Sequence, residues 1–314
     1  MLERALYKPV WYMQKTVVLI AGPTASGKTD LAVALARQLQ TEVISADSRQ
    51  CFRELEIGVA KPPAATLSLV QHHFINSHSI HEKVTAAHFE QLALATCEKL
   101  FQQHDVVVMA GGTGLYIRAF CQGLDEIPAV PIALRQELIA LYEQRGLAWL
   151  QAAVQTEDPL FASSGEMQNP QRLLRALEVI RGTGRSLLSF HRSGAVERPF
   201  RIIRIGLHLP RVELYERINL RVEKMMEQGL EQEARALYPY AQLNALQTVG
   251  YAELFAAFDG TWSMATAVEK IKQHTRHYAK RQLTWFQKDT AIQWMDAQHP
   301  QAIIAFVKNQ LEKD

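Results

Sequence analysis

"TVVLIAGPTASGKT", residues 16–29, decides the fold. Thr16 to Ala21 form a short, β-branched, apolar run without alternation. Such a run reads as a strand buried on both faces, as in a parallel sheet. It ends at Gly22-Pro23-Thr24-Ala25-Ser26-Gly27-Lys28-Thr29, and a helical pattern follows from Lys28 to Leu39. The spacing G-x-x-x-x-G-K-T between a strand and a helix is the context a phosphate-binding loop (P-loop) requires. Backbone N–H groups of the loop and of the helix N-terminus then face an anion. Lys28 adds a point charge, and the Thr29 hydroxyl is placed to hold Mg²⁺. Gly22 to Thr29 are therefore the candidate anion site, and Thr29 the candidate metal ligand.

Outward from that loop, "EVISAD" (42–47), "DVVVMAGGTG" (105–114) and "FRIIRIGLHLP" (200–210) read as three more strands. Strands interleaved with helices predict an α/β fold, a P-loop doubly wound parallel sheet with ligands at the carboxyl ends of the strands. Residues 124–197 differ. "DEIPAVP" marks a boundary, and helical stretches follow at Ile132–Arg145, Leu147–Gln155 and Pro170–Arg181. The organisation expected is a core over 13–123, an inserted helical domain over 124–197, and core completion with a helical C-terminal part over 198–314. Residues 1–12 read as an extension outside the core, with Met13 as the start. They carry charges and lack the apolar segment of a secretory signal.

The whole chain has 314 residues, 48% hydrophobic, with a formal net charge of +2. A polyanion must therefore be met by local patches. Cys51, Cys97 and Cys121 stand far apart with no C-x-x-C, which fits a reducing, cytoplasmic compartment. No apolar run approaches the roughly 18 residues of a membrane span. Nothing in the sequence demands more than a monomer.

A P-loop ATPase usually carries an acid after a strand such as "VVVMA", to hold Mg²⁺. Here that strand runs into Gly111-Gly112-Thr113-Gly114. The acid in a comparable place is Asp47, after "EVISA". Its carboxylate reads equally as a metal ligand or general base and as the N-cap of a helix begun by "ADSRQ".

"KIKQHTRHYAKRQLTWFQK" (270–288) holds six cationic residues and no acid. On a helix Lys272, Arg276 and Lys280 form one cationic row, and Ile271, Tyr278 and Trp285 a stripe that packs on the core. Arg172, Arg175, Arg181, Arg185 and Arg192 form a second basic cluster against the one acid Glu178. Arg217 and Arg221 lie one turn apart in a third segment. His72, His73, His78 and His81 match no zinc pattern and read as loop or core histidines.

The motifs "GPTASGKT", "ISADSRQ", "IGVAKP", "HHFI", "AGGTGLYIRA", "PQRLLRALEVIRGTGRSL", "RVEKMMEQGLEQEARAL", "TVGYAEL" and "KRQLTWF" occur in this order. The ordered set resembles the tRNA dimethylallyltransferases, from about Thr16 to about Asp289. The resemblance implies transfer of a dimethylallyl group from dimethylallyl diphosphate to the N6 amine of an adenosine. That adenosine lies just 3′ of the anticodon in tRNAs that read codons beginning with U. It also implies a P-loop α/β core with a helical insertion that together grip the anticodon stem-loop, and a loop that binds the donor's diphosphate. Mg²⁺ is the implied cofactor.

Carried over position by position, the resemblance makes Asp47 the general base at the adenine amine. Lys28, Thr29, Arg221 and the loop amides stabilise the departing diphosphate. It assigns tRNA contacts to Asp47, Ser48, Arg49 and Gln50, to Thr113 and Arg135, and to Gln171, Arg172, Leu173, Leu174 and Arg175. Further contacts fall on Gln247, Gly250 and Tyr251, and on Lys280, Arg281, Gln282 and Trp285. Two positions depart from the pattern: Val59 stands where threonine is common, and Leu246 where arginine is. Three other readings compete: a small-molecule P-loop kinase, an enzyme that prenylates free AMP or ATP, and a non-catalytic RNA-binding module. The basic helix and the inserted arginines favour a macromolecular acceptor.

Overall fold

The structure, a computed structural model, describes residues 14–191, 194 and 196–313. The extension over 1–12, the start at Met13, and Arg192 lie outside the described residues. The elements run β1 (Thr16–Ala21), α1 (Lys28–Gln38), β2 (Val43–Ala46), a single turn α2 (Ala64–Leu67), β3 (His72–His73), α3 (Ala86–Leu100), β4 (Val106–Gly111) and α4 (Gly114–Gln122). After an insertion come β5 (Arg201–His208), α8 (Arg211–Glu227), α9 (Leu230–Leu237), α10 (Tyr251–Phe258), α11 (Met264–Phe286), β6 (Gln293–Asp296) and α12 (Pro300–Leu311). The insertion itself holds α5 (Ile132–Glu157), α6 (Pro159–Ser164) and α7 (Pro170–Thr183).

All neighbouring strands pair in parallel, in the order β3-β2-β4-β1-β5-β6. The mixed α/β fold with a parallel sheet is the one the sequence predicts. β3 and β6 add to the four strands expected. At two and four residues they are too short to make a periodic signal. β1 is buried along its length, as its apolar run demands. Its Val18 and Ile20 pack with Leu31, Leu35 and Ala36 of α1, and with Ile303, Ile304 and Val307 of α12.

The register positions the site. Ala21 pairs with Gly111, and Gly111 with Ala46, so β1, β4 and β2 end level. The loops after these three strands therefore start side by side. Connections after β1 and β4 leave in opposite directions across the sheet, which is where open α/β sheets place ligands. Gly111 is required by this closeness: a Cβ there would lie 2.2 Å from the Ala46 carbonyl oxygen.

The described residues divide into two compact units, one running up to Cys121 and resuming at Glu197, the other within Gln122–Val196. In the second unit Leu138, Leu150, Val154, Phe161, Leu173, Leu174 and Leu177 form the core. α5 is broken at Gly146 (φ 74°, ψ −175°), between the helical stretches read at Ile132–Arg145 and Leu147–Gln155. No atom would crowd a Cβ at Gly146, so glycine is needed there for its positive φ alone.

Candidate active site

The loop 22–29 joins β1 to α1 and makes the floor of the site. Ser26 Oγ donates to the Pro23 carbonyl at 2.9 Å, and Lys28 Nζ to the same carbonyl at 2.5 Å. Burial and the charge of Arg221 push Lys28 down to about 7, and Asp47 offsets part of this. Arg221, on α8, donates from Nη1 to Thr24 Oγ1 at 3.2 Å. Burial lowers its pKa as well. Two cations crowded onto one loop, offset only in part by Asp47 at Lys28 and Asp30 at Arg221, form a site that gains from an anion.

That arrangement has a measurable consequence. An anion on the loop favours charged Lys28 and so raises its pKa above about 7. Below that pH the group is already charged, and its contribution is flat. Above it, binding must take up a proton, and log affinity falls with pH with a slope approaching one. Titration with inorganic diphosphate between pH 6 and 9 should show this fall, and Lys28→Met should lose it. Equal slopes in both proteins would show that Lys28 does not meet the anion.

Asp47 follows β2. Its Oδ1 accepts from the backbone N–H of Arg49 (2.8 Å) and Gln50 (3.2 Å). The segment is a turn and not a helix start, so the N-cap reading becomes an Asx turn. Its Oδ2 has no hydrogen-bond partner among the described residues. Cap and function coexist on two oxygens. Ser48 N–H donates to Thr113 Oγ1 at 3.0 Å, and Thr113 Oγ1 lies 3.3 Å from Ser48 Oγ. The Tyr278 hydroxyl of α11 also hydrogen-bonds Thr113. Part of the Tyr278 ring is exposed, while burial of its hydroxyl end and the Asp47 charge push it up to about 12. Asp47, Thr113, Lys28 and Arg221 thus converge at the carboxyl edge of the sheet.

Gln50 is held by its amide, which donates to the carbonyls of Val59 (3.2 Å) and Ala60 (3.1 Å). Val59 therefore serves through its backbone, which valine supplies as well as threonine. The same loop is fixed by Glu233 of α9, which accepts from the N–H groups of Glu56, Ile57 and Gly58 and from the Tyr251 hydroxyl. No local signal could reveal Glu233, because its backbone partners lie about 175 residues away in sequence.

Several expected tRNA contacts are corrected by burial. Leu173 and Leu174 point into the core of their own unit. Tyr251 is fully buried and bonded to Glu233. Gly250 is buried, and its N–H donates to Glu253. Gln282 is buried between two loops. Leu246 is fully buried, so leucine there supplies packing.

The cationic row is also broken. Lys272 pairs with Glu223 and Glu269, and Arg276 donates to Asn219 Oδ1. Ile271 is core, but Tyr278 belongs to the site and Trp285 lies against Gly114. Lys280 and Arg281 remain exposed, without an ion pair among the described residues. Arg49 and Gln247 stay at the surface and reach backbone carbonyls at Asn244 and Ala241.

In the second unit Arg135, Arg172, Arg175 and Arg181 meet acids, while Arg185 lies over the Phe190 ring. Glu178 pairs with both Arg135 and Arg175, Glu166 with Arg172, and Glu157 with Arg181. Gln171 is exposed. The loop-or-core reading of the four histidines holds for His78 and His81 alone, because His72 and His73 form the half-buried strand β3: His72 bonds the Val70 carbonyl, His73 meets Glu42, His78 meets His88, and His81 packs on Tyr240.

The residues present fit Mg²⁺ through the Thr29 hydroxyl. Among the described residues no three His, Cys, Asp or Glu cluster as a metal cage. The Thr29 hydroxyl has no protein partner among them and sits at the α1 N-terminus beside the loop. A hydroxyl plus substrate phosphates and water is an ordinary Mg²⁺ environment.

A glycine-bearing loop between a strand and a helix, level with a one-sided carboxylate at the carboxyl edge of a parallel sheet, is the arrangement in which α/β proteins commonly bind phosphate groups. Residues 50–289 match the IPP transferase family. The chain is 44% identical over 302 residues, 96% of it and 99% of the relative, to the tRNA dimethylallyltransferase of Cytophaga hutchinsonii. It is 46% identical to that of Christiangramia forsetii, covering 90% and 94% of the two chains. The solved tRNA isopentenylpyrophosphate transferase of Bacillus halodurans superposes with a TM-score of 0.71 at 34% identity, over 96% and 98% of the chains. The chain belongs to the IPP transferase family.

Proposed function

We propose that the protein is a tRNA dimethylallyltransferase. It moves the dimethylallyl group of dimethylallyl diphosphate onto the N6 amine of the adenosine 3′-adjacent to the anticodon, in tRNAs reading codons that begin with U. The observation that carries this is Asp47. One oxygen holds the turn, the other has no partner among the described residues, and β4 beside it ends in glycines with no carboxylate for nucleotide hydrolysis. A kinase reading leaves Lys280, Arg281 and the family match unexplained.

The donor's diphosphate lies on the amides of 25–29, with Lys28 and Arg221 along its oxygens. As the C–O bond of the donor breaks, negative charge grows on diphosphate where these two cations are fixed. The adenine amine is a poor nucleophile because its lone pair is conjugated with the ring. As its nitrogen bonds the prenyl carbon, Asp47 Oδ2 takes the N6 proton. Thr113 and Ser48 line the acceptor side. Mg²⁺, held by Thr29 and the donor, would neutralise part of the diphosphate charge. The adenosine must leave its stack, which costs little in an anticodon loop already partly unstacked. The protein works as a monomer in the cytoplasm, where buried Cys51, Cys97 and Cys121 stay reduced. Among the described residues no helix is long and apolar enough to cross a membrane.

The test uses two anticodon stem-loops, one with adenosine and one with guanosine 3′ of the anticodon, and labelled donor. Label confined to the adenosine form supports the reading, and label in both or neither removes it. Changing Lys280 and Arg281 together to alanine should weaken tRNA binding. Each phosphate contact adds to the salt dependence, so the slope of log affinity against log salt should flatten by up to about two units. An unaltered slope would mean that neither residue meets phosphate.

A further inference from the structure

Gln282 carries the inference. The resemblance places it among tRNA contacts, but its side chain is only 6% exposed. Oε1 accepts from the Thr24 N–H at 2.9 Å, on the loop after β1. Nε2 donates to the Gly112 carbonyl at 2.8 Å, on the loop after β4. Only this orientation of the amide satisfies both partners, because the reverse would set N–H against N–H and oxygen against oxygen.

The surrounding packing shows how closely α11 is seated. A Cβ on Gly112 would fall 2.3 Å from Gln282 Nε2, and one on Gly114 would fall 2.3 Å from the Trp285 indole. Tyr278, one turn before Gln282 on the same helix face, bonds Thr113 between those glycines. Thr113 in turn accepts from Ser48 beside Asp47. Thr24 is fixed a second time, through its hydroxyl, by Arg221. A chain of bonds therefore runs from the diphosphate loop through Gln282 to the Gly112 turn, and on through Thr113 to the Asp47 turn.

We propose that Gln282 is a positioning residue that clamps the donor loop to the acceptor loop, and that it does not contact tRNA. The inference rests on the function proposed above. Thr24 gives its N–H to Gln282, so that amide is committed to holding the loop and not to cradling phosphate. Two reactants held in register make transfer effectively unimolecular, and a misplacement of about 1 Å can cost on the order of a hundredfold. The residues that face the acceptor and those that face the donor stay aligned because one amide joins their backbones.

The experiment compares wild type with Gln282→Met, which keeps length and apolar bulk and removes both bonds. Gln282→Glu keeps the acceptor for Thr24 N–H and loses the donor to Gly112. Three quantities are read: transfer rate at saturating tRNA and donor, tRNA affinity by filter binding, and inorganic diphosphate affinity by titration. Gln282→Met should lower the saturated rate or diphosphate affinity by about tenfold or more and leave tRNA affinity within about twofold. Gln282→Glu sets an oxygen against the Gly112 carbonyl and a negative charge beside the loop, so it should lower diphosphate affinity at least as far as Gln282→Met with tRNA affinity again within about twofold, and it serves in its place if the Met variant does not fold. A tRNA affinity weakened tenfold with unchanged rate and diphosphate binding would overturn the inference. If wild type transfers nothing to tRNA, the functional reading fails, and the diphosphate titration still decides whether Gln282 orders the loop.

Discussion

Asp47→Asn should lower transfer to tRNA by at least about a hundredfold, with donor and tRNA affinity nearly unchanged. Asparagine is the informative substitution because Asp47 has two tasks on two oxygens. Oδ1 accepts the N–H groups of Arg49 and Gln50 and shapes the turn. An asparagine carbonyl keeps those bonds, while its amide cannot take a proton from adenine. Alanine would remove turn and base together, so a loss there could not be assigned. Single-turnover rates at saturating donor, with filter binding of tRNA, make the comparison. A rate within about threefold of wild type would remove Asp47 as the base.

Arg221→Ala should cost roughly a hundredfold or more in turnover, because a fixed donor aimed at developing charge is worth that much in a water-poor site. A second effect separates this role from general damage. After burial itself, Arg221 is the largest influence that depresses Lys28. Its removal should move the Lys28 titration upward from about 7, so the pH at which diphosphate affinity begins to fall should rise. A variant that loses turnover but keeps the wild-type breakpoint would place Arg221 away from the anion. The Thr24 hydroxyl, its partner at 3.2 Å, would lose an anchor in the same experiment.

The sheet was legible because its central strands are continuous apolar runs. Residues 16–21 appear as β1 without adjustment, and 200–210 contain β5. The break in α5 was legible from Gly146, which only a positive φ explains. β3 and β6 were not, since edge strands of two and four residues leave no period to read.

Within the site, the phosphate loop and Asp47 stood out from local spacing. What sequence order hid was pairing across distance. Arg172 and Arg181 read as free cations until Glu166 and Glu157 were placed beside them. Glu178 belongs to the same helix and was seen, but Glu157 and Glu166 lie on other segments. Lys272 was read into a cationic row whose acid partner Glu223 comes from another helix. Gln282 and Tyr278 were visible as residue types on a helix, yet nothing local shows that this helix face lies flush on two glycines of a distant loop. A stripe taken at positions 278, 282 and 285, in place of 271, 278 and 285, would have pointed to it.

The central claim is that the loop at 22–29 holds a prenyl donor for a tRNA acceptor. A radiolabel transfer assay tests it most directly, with Mg²⁺, labelled dimethylallyl diphosphate and unmodified tRNA, and with AMP and ATP as parallel acceptors. The account predicts label in tRNA alone, released on digestion as N6-dimethylallyladenosine. Label in AMP or ATP, or in no acceptor at all, would contradict it.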